Sequence, residues 1–149
     1  MLYGYGEERF ARRIARRIVE ARQKKAIETT TDLVLIIEQA VPRWYIRGRI
    51  HPATRTFQAL RIAVNDEIEA LREGLEKAIS LLSPHGRLAV ITFHSIEDRV
   101  VKRAFEKASR EGRGTVLFKK PLIASGEEVR NNPRARSGKL RVFESNHAK

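Results

Sequence analysis

The sequence predicts an α/β fold, helical at first and then alternating strands with helices. Three observations lead to it. Apolar residues recur every three or four positions up to residue 82. Beyond that point short β-branched runs replace the helical spacing, and turn residues separate one run from the next. The resulting order of helix, strand, helix, strand, loop and strand implies a partly parallel sheet. Three strands are few for a sheet that helices should cover on both faces, so an exposed edge or face is expected.

The first helix is expected over residues 7–22. Phe10, Ile14 and Ile18 recur at every fourth position, Ala11, Ala15 and Val19 lie beside them, and Arg12, Arg13, Arg16 and Arg17 take other faces. The cluster Thr29-Thr30-Thr31-Asp32 offers cap chemistry for a helix carrying Leu33, Ile36, Ile37 and Ala40, which Pro42 ends. From Arg43 to His51 no period survives, and the stretch reads as an exposed loop. A long helix follows from Pro52 to Leu82 along the stripe Phe57, Leu60, Val64, Ile68, Leu71, Leu75, Ile79 and Leu82. Ser83-Pro84-His85-Gly86 stops it.

The period then changes. Arg87–Phe93 is the mostly apolar type of strand buried on both faces. Ser95 and Asp98 have capping-box spacing for a helix whose inner face is Val100, Val101, Ala104 and Phe105, broken by Gly112 and Gly114. Thr115–Ile123 reads as a strand interrupted at Lys119-Lys120 and closing near Pro121. Ser125–Gly138 reads as a polar loop, and Lys139–Phe143 alternates as a final strand.

Composition narrows the function. Hydrophobic residues make up 42% and charged residues 32%, which suits a folded chain. The absence of Cys excludes disulfides, thiolate zinc sites, iron–sulfur clusters and cysteine nucleophiles. No apolar run approaches the roughly 20 residues needed to span a bilayer, and no signal-peptide core is present, so the expected compartment is the cytoplasm. The net charge is +12, carried by two ends. Residues 1–25 hold eight basic and three acidic side chains, and residues 110–149 hold ten and four. Such ends point to a polyanion, nucleic acid first and an anionic membrane surface second.

Three segments could carry chemistry. In Phe93–Arg99, at a strand-to-helix passage, His94 could position a base or phosphate, Ser95 could cap or donate, and Arg99 could hold an anion. The same residues could simply cap a helix and face water. They are not a Ser–His–Asp triad, because neighbours at a helix start cannot converge on one nucleophile. In His51–Arg61 a helix start brings His51, Arg55 and Gln58 to one side, and Arg61 continues it; this too could be plain solvated surface. Arg134, Arg136, Lys139 and Arg141 form a strip suited to phosphate contact. Trp44 and Tyr45 could stack on unpaired bases or could cover the helical core. Gly4 and Gly6 follow no strand, so no Gly-rich phosphate or dinucleotide loop exists, and the four His show no metal-ligand spacing. No cofactor-binding residue and no metal site is therefore expected.

Taken together, His51–Asn65, Phe93–Lys102 and Asn132–Arg141, with Tyr5–Ala11 and Ile14-Ala15, closely resemble the bacterial ribosomal RNA small-subunit methyltransferase H family, in order and gap for gap. The resemblance implies S-adenosylmethionine-dependent methylation of the exocyclic N4 of a cytidine in 16S ribosomal RNA, with the small ribosomal subunit as partner. It implies a Rossmann-like class I methyltransferase fold with an inserted helical domain. Residues 1–50 would be the later part of that substrate-recognition insertion, and residues 51–149 the C-terminal part of the methyltransferase sheet. The family's cofactor-binding positions have no counterpart in this sequence, so it reads as a C-terminal half, inactive alone. On this map His94 and Ser95 stand nearest the base pocket, while His51, Arg55, Arg61, Arg99, Arg134, Arg136, Lys139 and Arg141 face RNA. A partner could be the other half of such a protein, or a second copy joined through the edge of the Arg87–Phe93 strand. The alternative is a non-catalytic RNA-binding module of the same origin. A DNA-binding protein is suggested by charge only.

Overall fold

A computed structural model describes residues 1–146 and contains two compact units, one ending at Glu67 and the other beginning at Ile68. The first is all helical: α1 (Leu2–Gly6), α2 (Ala11–Lys24), α3 (Thr30–Ala40), α4 (Arg43–Ile46) and α5 (Thr54–Val64). Its core gathers Leu2, Ile14, Ile37, Ala40, Val41 and Ala59. Gly6 lets α1 lie on α5, since a Cβ there would stand 2.6 Å from the Arg55 carbonyl oxygen. Thr29 caps α3: its Oγ1 accepts from the Asp32 N–H at 3.1 Å and the Asp32 carboxylate accepts from the Thr29 N–H, as the cap cluster predicts.

Three helical expectations need correction. The helix expected over residues 7–22 is α2, which begins at Ala11 behind the short α1, because Glu7 turns left-handed at φ 47° and Glu8 is buried. Glu8 accepts from the Phe10 N–H and from the Tyr45 hydroxyl, both at 2.8 Å. That second bond draws Arg43–Ile46 into a helical turn where a loop was expected. Tyr45 is half-buried against the core, whereas Trp44 is exposed. The expected helix from Pro52 to Leu82 is two helices, α5 and α6 (Glu67–Leu81), broken where Asp66 adopts φ 50°. Val64, on the predicted stripe, is 82% exposed at that break.

In the second unit α6 and α7 (Ser95–Arg110) cover one face of a four-stranded sheet, with Leu75, Ile79, Val101, Phe105, Ala108 and Phe143 in the core. The strands are β1 (Arg87–Thr92), β2 (Gly114–Val116), β3 (Leu122–Ile123) and β4 (Lys139–Ser145). The expectation of a partly parallel sheet fails at every pairing: β1, β2 and β3 each pair antiparallel with β4. The last strand enters between the others, with Arg87 opposite Glu144 and Thr92 opposite Lys139 on one edge. Its other edge takes Gly114–Val116 at one end and Leu122–Ile123 at the other, so the interrupted strand is two short pieces.

Nor is β1 buried on both faces. Leu88 and Val90 face the core, while Ile91 is 61% exposed. An unbroken apolar run looks the same in sequence whether one face or both are covered. The polar loop Ser125–Gly138 contains α8 (Gly126–Asn131), capped by the Ser125 hydroxyl, and a 3₁₀ turn over Pro133–Ser137. No helix among the described residues is long and apolar enough to cross a membrane.

Candidate nucleic-acid interface

At the end of β1 the chain turns into α7 through Phe93 and His94. The cap is one residue earlier than Ser95–Asp98 spacing suggests. His94 Nδ1 accepts from the Glu97 N–H at 3.3 Å, and Glu97 Oε2 accepts from the N–H groups of Phe93 and His94 at 2.9 and 3.3 Å. The other ring nitrogen is buried, 3.1 Å from Glu97 Oε1 but without hydrogen-bond geometry. His94 thus acts on its surroundings by fixing the turn, which holds Phe93 outward at 56% exposure and starts α7 at the exposed Ser95.

Asp98, released from capping, faces β4. Its carboxylate accepts from Arg141 Nε at 2.7 Å, from Arg141 Nη2 at 3.2 Å and from Lys139 Nζ at 3.4 Å. Burial pushes this carboxyl up, but the bonds and charges of Arg141 and Lys139 outweigh burial and hold it below the usual carboxylate range. Arg141 is only 6% exposed, so the cation read as part of a phosphate strip ties α7 to the sheet.

The other candidates divide by their neighbours. Arg61 is held by Glu67 through bonds of 2.8 and 3.0 Å, and Arg55 donates to the Glu7 carbonyl at 3.1 Å, closing the end of α1. His51 is exposed, with Nδ1 accepting from the Ala53 N–H at 3.2 Å and Nε2 lying 3.4 Å from Glu38. Arg99 is exposed on α7. Arg134 and Arg136 are exposed on the 3₁₀ turn with no carboxylate partner among the described residues. These two are the strip's available cations.

Arg134 also borders a cleft of about 460 Å³ on the sheet face opposite α7. Ile91, Phe93, Leu122, Ile123 and Leu140 give it apolar walls, and Glu128, Asn132 and Arg134 give it polar groups. An exposed aromatic ring, an amide, a carboxylate and a guanidinium around one opening suit an unstacked nucleobase with its phosphate. Reading the sequence for charge and cap residues passes over Phe93, Glu128 and Asn132. The signal for Phe93 is its place as the last apolar residue before a polar helix start.

Known proteins give this geometry its context. The family model described as the MraW methylase family matches residues 1–146. The chain is 58% identical over 144 residues to the Ribosomal RNA small subunit methyltransferase H of Deinococcus radiodurans, covering 97% of this chain and 45% of that protein. Identity to the protein of the same name from Persephonella marina is 55% over 138 residues, covering 93% of this chain and 47% of the relative. The Synechococcus elongatus protein, again of that name, is 55% identical over 144 residues, or 97% and 47% of the two chains. The chain therefore spans about half the length of the curated relatives it matches. Since the family match takes in both the α7 cap and the cleft, the chain whose last strand unites this sheet belongs to the MraW methylase family.

Proposed function

We propose that this chain is the RNA-gripping and base-orienting part of an enzyme that methylates N4 of a cytidine in 16S ribosomal RNA of the small subunit, with S-adenosylmethionine as donor. The name its relatives share, Ribosomal RNA small subunit methyltransferase H, supports the rRNA substrate. On this reading residues 1–50 are the later part of an inserted helical substrate-recognition domain, and residues 51–149 are the C-terminal part of a Rossmann-like methyltransferase domain.

The carrying observation is the cleft beside Phe93. A cytosine taken out of its stack lies against the Phe93 ring, with Arg134 and Arg136 on the flanking phosphates. Glu128 and Asn132 offer a carboxylate and an amide to the base edge, an arrangement that holds the exocyclic amine in one orientation. His94 and Ser95 serve this site through the turn that presents Phe93. His51, Arg55, Arg61, Arg99, Lys139 and Arg141 are secondary, and five of them are already engaged by Glu38, Glu7, Glu67 or Asp98.

S-adenosylmethionine supplies an electrophilic methyl group when bound, but the described residues do not fit it. A nucleotide-like cofactor needs a glycine-cleared turn after a strand. Here β1 passes to α7 through Phe93 and His94, with the imidazole filling the cap. The donor site is assigned to the part of the relatives that this chain does not match.

The test is a chimera in which this chain replaces the matched 144 residues of the Deinococcus relative. Tritium transfer from S-adenosylmethionine to unmodified small subunits gives kcat/KM. Phe93→Ala should lower it by roughly 5- to 150-fold, the value of one base–aromatic stack, with cofactor affinity unchanged by calorimetry. An active chimera indifferent to Phe93→Ala refutes the base site. One-to-one cofactor binding by the 149-residue chain alone refutes the donor assignment.

A further inference from the structure

We propose that the outward face of α2 is a second RNA-binding surface, which takes consecutive phosphates on Arg9, Arg12, Arg13 and Arg16 and an unpaired base on Trp44. The proposal rests on the RNA reading above but uses none of the residues around the Phe93 cleft.

Several exposed cations on the other long helices are paired with nearby acids. On α6, Arg72 pairs with Glu69 at 2.8 Å and Lys77 with Glu73 at 3.3 Å. On α7, Lys102 pairs with Glu106 at 3.6 Å, and Lys107 lies 3.7 Å from Glu111 just beyond that helix. Each of these four cations finds an acid about one turn away, although Arg103 and Arg110 on α7 have no carboxylate partner among the described residues. On α2 the unpaired cations stand together on one face. Arg9, just before the helix, and Arg12, Arg13 and Arg16 on it are exposed, and none has a carboxylate partner among the described residues. The acid on that face, Glu20, is taken by Arg17 at 3.2 Å. At 3.6 residues per turn, Arg12, Arg13 and Arg16 fall within roughly a third of the helix circumference. Their mutual repulsion opposes the helix until a polyanion covers them.

Exposed aromatic rings beside these cations identify the polyanion. The Arg9 guanidinium lies 5.1 Å from the Trp44 ring centroid and 5.2 Å from that of Phe10, and Arg13 lies 5.7 Å from Phe10. Trp44 is 58% exposed although it touches Phe10 edge-on at 5.9 Å. Tyr3, Arg9, Phe10, Arg12 and Arg13 bound an open cleft of about 670 Å³. Arginines fanned over open aromatic surface are how single-stranded RNA is held, phosphates on the cations and bases on the rings. A membrane surface fits less well. An interfacial helix needs its apolar face free, and here Ala11 and Ile14 are packed into the helical core.

Trp44 is the sole tryptophan of the chain, so its fluorescence reports this surface alone. The full 149-residue chain is titrated with a single-stranded 20-nucleotide RNA at several KCl concentrations, following anisotropy of a labelled RNA and quenching of Trp44. The expected result is quenching on binding. Arg12→Ala/Arg13→Ala/Arg16→Ala should weaken binding at least tenfold and reduce the salt slope by about 2, near 0.7 per lost phosphate contact. The triple lysine variant should keep the slope. Alanine favours helix, so circular dichroism should show α2 intact in the first variant. If the alanine variant binds as wild type while Arg134→Ala/Arg136→Ala loses affinity, this proposal falls and the RNA reading stands. If wild type binds phosphatidylglycerol vesicles but no RNA, both fall.

Discussion

Replacing Asp98 with Ala should cost about 3 kcal/mol of stability, and the structure says why. The carboxylate receives two bonds from Arg141 and one from Lys139, and its side chain is 13% exposed. Arg141 lies in the middle strand and cannot swing to water, so Asp98→Ala leaves a guanidinium buried without a counter-charge. Such orphaned charges cost roughly 3–5 kcal/mol, and the partial exposure of Asp98, which lets water enter the gap, favours the lower figure. For a chain of this size that is a melting temperature lower by roughly 6–12 °C. Thermal melts of wild type, Asp98→Ala, Arg141→Leu and the double variant measure it. The double variant should lose less than the sum of the singles, because it removes the orphaned charge together with its partner. The pH dependence has a definite sign. A carboxyl held below its ordinary value contributes stability that is fully present above an unfolded pKa of about 3.9 and is lost as pH falls through the lower folded value. The gap between wild type and Asp98→Ala should therefore be flat from about pH 7 to 5 and close below about pH 4. A gap under about 1 kcal/mol, or one unchanged at acid pH, would refute a buried tether.

Two further outcomes test the packing elsewhere. Gly114→Ala puts a Cβ into the Glu144 carbonyl oxygen and the Phe143 ring, so β2 must move off β4 at a cost of roughly 1–3 kcal/mol, read by denaturant unfolding. Glu8→Gln should let the Tyr45 phenol titrate lower, followed by ultraviolet absorbance; burial raises it first, and the bond and charge of Glu8 raise it further.

The parts of this fold that rest on local periodicity are legible in the sequence. The inner face of α7 is Val101, Ala104 and Phe105 as their spacing requires, and Lys139–Phe143 is a strand. What is not legible is set by partners distant in sequence. Glu8 looks like surface until Tyr45 arrives from 37 positions away. Asp98 has cap spacing, but Arg141, 43 positions on, offers a charged bond that the backbone N–H groups do not, and the cap passes to His94 and Glu97. The break at Asn65-Asp66 carries no Gly or Pro, so a continuous apolar stripe conceals it. The candidate site shows the same division. Arg134 and Arg136 could be picked out as cations, while the burial of Arg141 and the outward turn of Phe93 depend on strand order.

That strand order also governs how the second unit can assemble. Each of β1, β2 and β3 finds its partner in β4, and β4 is the last of the four to be synthesised. Among the described strands β1 pairs only with β4, and that pairing closes loops of up to 57 residues at once. The joining of these four strands is thus late and concerted. A nascent chain stalled before Lys139 would hold α6 and α7 with their apolar faces waiting, the kind of intermediate on which chaperones act.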